Sequence, residues 1–137
     1  MAQSELSDFA SLSLSQDMLN ALKAANYQAP TAIQGGLIPL ALEEMDVVGQ
    51  ARTGTGKTAA FVIPILELLD LEDRSKLPQA LSLVPTRELA VQVKDEVEKL
   101  SGNLKVRCAA IYGGTPIRSQ IAKLEKGVHV VVGTPGR

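Results

Sequence analysis

The chain has few of the residues that build redox, metal and aromatic sites. Its 137 residues include no tryptophan, two phenylalanines, two tyrosines, one histidine and one cysteine. A single cysteine, Cys108, excludes an internal disulfide, and its apolar surroundings in the sequence predict a buried core residue of a cytosolic protein. The lone His129 has no partner histidine or cysteine at a metal-binding spacing, so we expect it to be structural.

Long apolar runs and an excess of charge are also missing. No apolar stretch is long enough to cross a bilayer, and the polar residues 1–6 do not resemble a signal peptide. The formal net charge is -1, so the overall charge gives no sign of a nucleic-acid partner. With 45% hydrophobic residues, the chain is expected to fold as one cytoplasmic domain with a real core.

Short β-rich runs alternate with amphipathic segments along the chain. The candidate strands are residues 47–48, 80–84, 106–111 and 128–132, and the candidate helices are residues 57–71, 88–100 and 116–124. This order predicts an α/β fold with parallel strands, right-handed helical crossovers and ligands at the carboxyl ends of the strands. Upstream, Ser15 and Thr31 are placed to cap two further helices. Two glycines and Pro39 weaken the second of these helices.

The most informative segment is residues 51–58, Ala-Arg-Thr-Gly-Thr-Gly-Lys-Thr, between a strand-like and a helix-like run. A glycine-rich turn lets backbone N–H groups converge on one anion, and the following helix adds the positive end of its dipole. Lys57 would neutralise the β- and γ-phosphates, and Thr58 would place its hydroxyl on a bound Mg²⁺. The pattern usually begins with glycine, but Ala51 is the smallest alternative. The segment therefore predicts a P-loop.

A second segment, residues 26–34, Asn-Tyr-Gln-Ala-Pro-Thr-Ala-Ile-Gln, stands a short distance before the P-loop. It resembles the Q motif of DEAD-box RNA helicases, with Asn26 where that family usually has glycine. Asparagine tolerates a positive φ better than most residues. The amide of Gln34 presents a donor and an acceptor together, which matches N6 and N7 of adenine. Tyr27 can stack on the base, and Phe9 resembles the aromatic residue that the family carries further upstream.

Three later segments resemble further motifs of this family, in the same order. Residues 85–90 are similar to motif Ia, residues 113–114 to the GG element and residues 134–137 to motif Ib. In the family these elements hold the phosphate backbone of single-stranded RNA. Arginines can pair with phosphates, while hydroxyl and backbone N–H groups add hydrogen bonds without reading bases. Each segment taken alone also fits an ordinary turn or helix start.

The resemblance implies an incomplete RecA-like P-loop domain, a mainly parallel sheet with flanking helices. Residues 1–45 would form a Q-motif region and residues 46–137 a partial ATP-binding core. The implied ligands are ATP, Mg²⁺ and single-stranded RNA. The expected nucleotide-binding residues are Tyr27, Gln34, Ala51, Thr53, Gly54, Thr55, Gly56, Lys57 and Thr58, with Lys57 and Thr58 catalytic and Thr58 the Mg²⁺ ligand. The expected RNA-binding residues are Pro85, Thr86, Arg87, Gly113, Gly114, Thr134, Pro135, Gly136 and Arg137.

The sequence lacks one element that phosphoryl transfer needs. A second acid must help to hold Mg²⁺, normally an aspartate at the end of an apolar strand. None of the candidate strands ends in an acid, and the family's Asp-Glu-Ala-Asp box would follow Arg137. We therefore interpret the chain as a helicase fragment that binds adenine nucleotide but neither hydrolyses ATP nor unwinds RNA. A sheet cut at this point would leave an open edge, which predicts self-association.

Two other functions stay open at this point. The chain could be a different P-loop enzyme, such as a small nucleotide kinase, in which the early glutamine motif is accidental. It could also be a binding module with a structural anion site. A preference for adenine over guanine nucleotides separates the helicase interpretation from the structural anion site, which would be indifferent to the base.

Overall fold

The computed structural model describes residues 8–137, so the polar residues 1–6 discussed above lie outside the described part. The chain forms two compact units, the first ending at Leu68 and the second running from Leu69 to Arg137. The predicted P-loop, residues 51–58, therefore lies in the same unit as the Q-motif segment, residues 26–34. No helix within residues 8–137 has the length and apolar character needed to span a membrane.

The first unit is helical. A 3₁₀ turn at Phe9–Leu12 precedes three helices, α1 at Gln16–Ala24, α2 at Ala32–Leu42 and α3 at Lys57–Leu68. Ser15 and Thr31 cap α1 and α2, as predicted, because their hydroxyls accept backbone N–H groups of the first turns. Helix α2 continues through its glycines and proline, since burial of side chains such as Ile38 outweighs their low helix propensity.

The strand predicted at residues 47–48 is not formed. Residues 43–56 belong to no helix or strand, and Val48 is 100% exposed. The prediction was wrong because a strand needs a hydrogen-bonded neighbour, and none of the strands in residues 8–137 pairs with this run. The segment lies against α2 instead. A Cβ added to Gly49 would come 2.7 Å from Leu37 Cδ1 and 2.9 Å from Ile33 Cδ1.

The second unit alternates strands and helices, which confirms the predicted α/β class. Its elements are β1 at Ala80–Leu83, α4 at Arg87–Ser101, β2 at Cys108–Ile111, α5 at Ile117–Lys126 and β3 at Val130–Gly133. The strands are parallel in the order β1-β3-β2, so the last strand lies in the centre. Helix α4 packs on β2 and β3, and helix α5 packs on β2. Val130 and Val132 of β3 are completely buried.

Strand β1 has an exposed apolar face. The central position of β3 makes β1 and β2 the edges of the described sheet. Parallel strands are usually covered on both faces. In β1, however, Leu81 is 66% exposed and Leu83 is 62% exposed.

The lone cysteine and the lone histidine are both parts of the fold. Cys108 is half-buried rather than fully buried as predicted, because its strand β2 lies at a sheet edge. Burial raises the pKa of its thiol to about 11, so the thiol stays protonated at neutral pH. Nδ1 of His129 accepts the backbone N–H of Arg107 at 2.9 Å, which is the structural role expected. Burial, and then the charge of Arg107, lower the pKa of His129, which favours the neutral ring that accepts this N–H.

Candidate functional site

The glycine-rich segment forms a tight turn that leads directly into α3. Gly54 and Gly56 have φ of 82° and 81°, a region that glycine adopts without strain. The Thr55 hydroxyl donates to the carbonyl of Arg52 and closes the turn. Helix α3 then begins at Lys57. The first N–H groups of a helix have no partner within the helix, so this end of α3 can accept an anion.

The charges at the start of α3 also favour an anion. Its first turn carries Lys57 and no acidic residue. A cation at a helix N-terminus opposes the helix dipole, so stability alone would favour an acid here. Lys57 is exposed, and none of the ion pairs found within residues 8–137 involves it. Its ammonium group is therefore available to a ligand.

A cleft of about 540 Å³ joins the start of α2 to the P-loop. Its lining residues are Thr31, Ala32, Ile33, Gln50, Ala51, Gly54 and Thr55. Three of the predicted nucleotide-binding residues are thus in the cleft wall. Thr53 is exposed in the turn, and Thr58 is half-buried in the first turn of α3.

Gln34 joins the Q-motif segment to the P-loop. Its side chain is only 1% exposed. Oε1 accepts the backbone N–H of Thr31 at 3.0 Å, and Nε2 donates to the carbonyl of Gly56 at 3.2 Å. These bonds use one lone pair and one N–H of the amide and leave one of each. Sequence reasoning identified Thr31 as a cap but missed that Thr-x-x-Gln is the capping-box pattern. Contact between Gln34 and adenine stays a prediction.

The backbone at Asn26 and a contact between two aromatic rings both support the Q-motif segment. Asn26 adopts a φ of 64°, so asparagine tolerates the conformation at the position where glycine is usual. The rings of Phe9 and Tyr27 meet edge to face, with centroids 6.2 Å apart and an interplanar angle of 82°. Phe9 is buried, and its ring supports Tyr27 of the Q-motif segment.

In the second unit, the other three predicted segments follow the carboxyl ends of the strands. Residues 85–87 follow β1, residues 113–114 follow β2 and residues 134–137 follow β3. We call residues 85–87, 112–115 and 134–137 the carboxyl-end cluster. Because the strands are parallel and adjacent, their ends meet at one edge of the sheet, as expected.

Arg87 connects two parts of the carboxyl-end cluster. Its Nη2 donates to the carbonyl of Gly113 at 3.1 Å, and its Cζ lies 5.4 Å from the ring centroid of Tyr112. A Cβ on Gly114 would lie 2.3 Å from Arg87 Nη2, and the φ of Gly114 is 87°. Glycine at this position therefore permits the arginine to approach the turn.

Arg137 joins the end of the chain to the turn at residues 112–115, and Thr86 caps helix α4. Nη1 of Arg137 donates to the carbonyl of Thr115 at 3.2 Å and to Oε1 of Gln120 at 3.3 Å. The Thr86 hydroxyl caps α4 by accepting the N–H of Leu89, so its own proton can still be donated. Within residues 8–137, the other N–H groups of the two guanidinium groups make no hydrogen bond, so they are available to a ligand.

A glycine-rich turn that runs into a lysine-led helix, in a chain with a parallel α/β sheet, matches the pattern of a P-loop. The family model for the DEAD/DEAH box helicase matches residues 31–137. The chain therefore belongs to the DEAD/DEAH box helicase family. Membership of this family sets aside the nucleotide kinase alternative.

Individual relatives agree with this assignment. DEAD-box ATP-dependent RNA helicase CshA of Geobacillus kaustophilus is 48% identical over 132 residues, covering 96% of this chain and 28% of that protein. Probable ATP-dependent RNA helicase MJ0669 of Methanocaldococcus jannaschii is 48% identical, covering 97% of this chain and 35% of that protein. The crystal structure of a DEAD box protein from Methanococcus jannaschii matches with a TM-score of 0.88 and 48% identity, over 95% of this chain and 35% of that chain. The chain thus spans 28% to 35% of the lengths of these proteins.

Proposed function

We propose that this chain is the ATP-binding and RNA-contacting part of a cytoplasmic ATP-dependent RNA helicase. One observation carries the proposal: the Gln34 amide donates to the carbonyl of Gly56, inside a glycine turn that leads into a lysine-led helix. The bond supports the proposal, because it joins an amide suited to adenine to a turn suited to phosphate. The names of the relatives, which are ATP-dependent RNA helicases, support the same function.

In this proposal the P-loop holds the phosphates and the Q-motif segment holds the base. Backbone N–H groups of the turn and the ammonium group of Lys57 bind the phosphates. The positive φ of Gly54 and of Gly56 fits such a cradle. The Thr58 hydroxyl would hold Mg²⁺, which neutralises phosphate charge when bound. The remaining donor and acceptor of Gln34 would read adenine, with Tyr27 stacked on the base.

The carboxyl-end cluster would hold single-stranded RNA by its backbone. Arg87 and Arg137 pair with phosphates through their remaining N–H groups, and Thr86 donates its hydroxyl proton. None of the described strands is followed directly by an acid. The residues after β1, β2 and β3 are Val84, Tyr112 and Thr134. We therefore expect the chain by itself to bind ATP without hydrolysing it.

We expect the chain to bind ATP more tightly than GTP, and Gln34→Ala to reduce the ATP affinity to that for GTP. A bidentate pair between an amide and adenine is worth about 1–3 kcal/mol of discrimination. Calorimetric titrations of both nucleotides with Mg²⁺ into the unmodified chain and the variant measure this difference.

Gln34 also belongs to the cap of α2, so a variant that weakens the cap alone is the control. Thr31→Ala removes the hydroxyl acceptor and should cost about 1 kcal/mol of stability. It leaves the amide in place and should keep the preference for ATP. Equal affinities of the unmodified chain for ATP and GTP would contradict the adenine role and favour a structural anion site.

We also propose that the chain self-associates through the β1 edge. An open edge recruits strands, and Leu81 and Leu83 add an exposed apolar face. Sedimentation equilibrium over a range of concentrations should show dimers of the unmodified chain. The double variant Leu81→Lys/Leu83→Lys should be monomeric, whereas the control Ile117→Lys, at another exposed apolar residue, should still dimerise. A chain that is monomeric at every concentration would contradict this proposal.

A further inference from the structure

Helix α5 buries one side chain, and that side chain is polar. Gln120 is 5% exposed, while its neighbours Ser119 and Ile121 are exposed. Burying an amide is unfavourable unless its polar atoms are hydrogen-bonded, and an apolar residue would suit a purely structural contact better. The hydrogen-bond partners of the Gln120 amide must therefore explain why this side chain is buried.

Both ends of the Gln120 amide bind the carboxyl-end cluster. Nε2 donates to the carbonyl of Tyr112 at 2.7 Å and to Oγ1 of Thr115 at 2.6 Å. Oε1 accepts from Nη1 of Arg137 at 3.3 Å. The partners determine the orientation of the amide, since a carbonyl only accepts and a guanidinium only donates. Glutamine is thus matched to a site that needs a donor on one side and an acceptor on the other.

We propose that Gln120 is a positioning residue of the RNA-contacting surface, which holds the Arg137 guanidinium and the turn at residues 112–115 in one arrangement. The proposal rests on the RNA role proposed above. Arg137 shares its Nη1 donor between Gln120 and the carbonyl of Thr115, so two acceptors restrict the guanidinium. An arginine ordered before RNA binds loses less conformational entropy on binding.

The same residue also reaches the second arginine of the surface. Gln120 holds the carbonyl of Tyr112, and the ring of Tyr112 lies under the Arg87 guanidinium. Arg87 in turn donates to Gly113, the next residue of the turn. One buried amide therefore connects both guanidinium groups that would contact phosphates.

The proposal predicts that Gln120→Met weakens RNA binding by about two- to tenfold, the cost of ordering one long side chain. Methionine has a similar length and no amide. The probe is a short fluorescein-labelled oligouridylate, and the readout is fluorescence anisotropy with the whole chain. Gln92→Met, the same substitution on the exposed face of α4, is the matched control and should bind like the unmodified chain.

A double-mutant cycle with Arg137→Ala separates positioning from general support of the fold. If Gln120 acts through Arg137, Gln120→Met should cost clearly less affinity in the Arg137→Ala chain than in the unmodified chain. In the RNA-free chain, the ¹⁵N heteronuclear NOE of the Arg137 Nε–H should fall in Gln120→Met. Circular dichroism melts show whether each variant is folded.

A second variant keeps the test informative if Gln120→Met does not fold. Gln120→Glu keeps an acceptor for Arg137 and loses both donated bonds. Arg137 should remain ordered in Gln120→Glu, and this variant should bind RNA more weakly than the unmodified chain. If Gln120→Met folds, the RNA affinity of Gln120→Glu should lie between those of the unmodified chain and Gln120→Met.

The outcomes distinguish this proposal from the function on which it rests. Additive effects in the cycle, or folded Gln120 variants that bind RNA like the unmodified chain, would overturn the positioning role and leave the RNA function intact. An unmodified chain that does not bind the oligouridylate would overturn the RNA function and, with it, this use of Gln120.

Discussion

Gly56→Ala is expected to lower the stability of the first unit and its ATP affinity together. A left-handed backbone costs a residue with a side chain about 1–2 kcal/mol. The new Cβ would also lie 2.3 Å from Nε2 of Gln34 and 3.2 Å from Oγ1 of Thr31. Gln34 is buried, so it can move only by giving up its bonds to Thr31 and Gly56. Urea denaturation and calorimetric titration of ATP measure the two losses.

Gly36→Ala is the matched control for this prediction. Gly36 lies within α2, and a Cβ there would meet no atom within 4 Å. Alanine in a helix interior should raise stability by about 0.5–1 kcal/mol relative to glycine. If Gly56→Ala instead unfolded at the same urea concentration as the unmodified chain and bound ATP equally well, the turn would not need glycine. That result would contradict the proposal that this turn binds the phosphates of ATP.

Lys57→Ala is expected to weaken binding of ATP and GTP alike, with little loss of stability. Hydrogen bonds to charged groups are worth about 1.5–3 kcal/mol, so the affinity should fall at least tenfold. The fold should tolerate the change, because a cation at the start of α3 opposes the helix dipole. Calorimetry with both nucleotides and a thermal melt of the same sample provide the two measurements.

Lys23→Ala controls for the loss of one positive charge. Lys23 is exposed in the last turn of α1. This variant should bind both nucleotides like the unmodified chain. A Lys57→Ala chain that lost affinity for ATP but kept its affinity for GTP would show that Lys57 does not act on the phosphates common to both.

The architecture of the second unit was largely predictable, because local patterns determine it. The apolar strand runs and the amphipathic periodicity of α4 are both short-range signals. Parallel strands with intervening helices then place their carboxyl ends together, which brings Arg87 near Gly113. The central position of β3 was not predicted, since strand order depends on pairing between distant segments.

Predictions failed where a segment depends on distant partners. Val47 and Val48 have a strand-like composition, but composition does not supply a hydrogen-bonded neighbour. Contacts between distant residues were also missed. The carboxylate of Glu67 accepts both the N–H and the hydroxyl of Ser15 at 2.8 Å. The two residues are 52 positions apart, and neither has a local pattern that indicates the contact.

The sites were predictable where a motif specifies backbone geometry. Gly54 and Gly56 adopt the positive φ that a P-loop turn requires. The roles of side chains were harder to predict, because one group can serve several partners. Gln34 was expected to read a base, and the structure shows that its amide also caps α2 and binds the P-loop. Gln120 lies in no recognised motif, so only the folded chain shows its three partners.

Residue-level mapping of two ligands by NMR tests most directly that one chain binds both nucleotide and RNA. Titration of ATP with Mg²⁺ into ¹⁵N-labelled chain should shift the amides of residues 31–34 and 51–58. Titration of a single-stranded oligouridylate should shift the amides of residues 86–87, 113–115 and 134–137. Shifts from ATP that avoid the P-loop, or an oligouridylate that leaves the carboxyl-end cluster unchanged, would contradict the account.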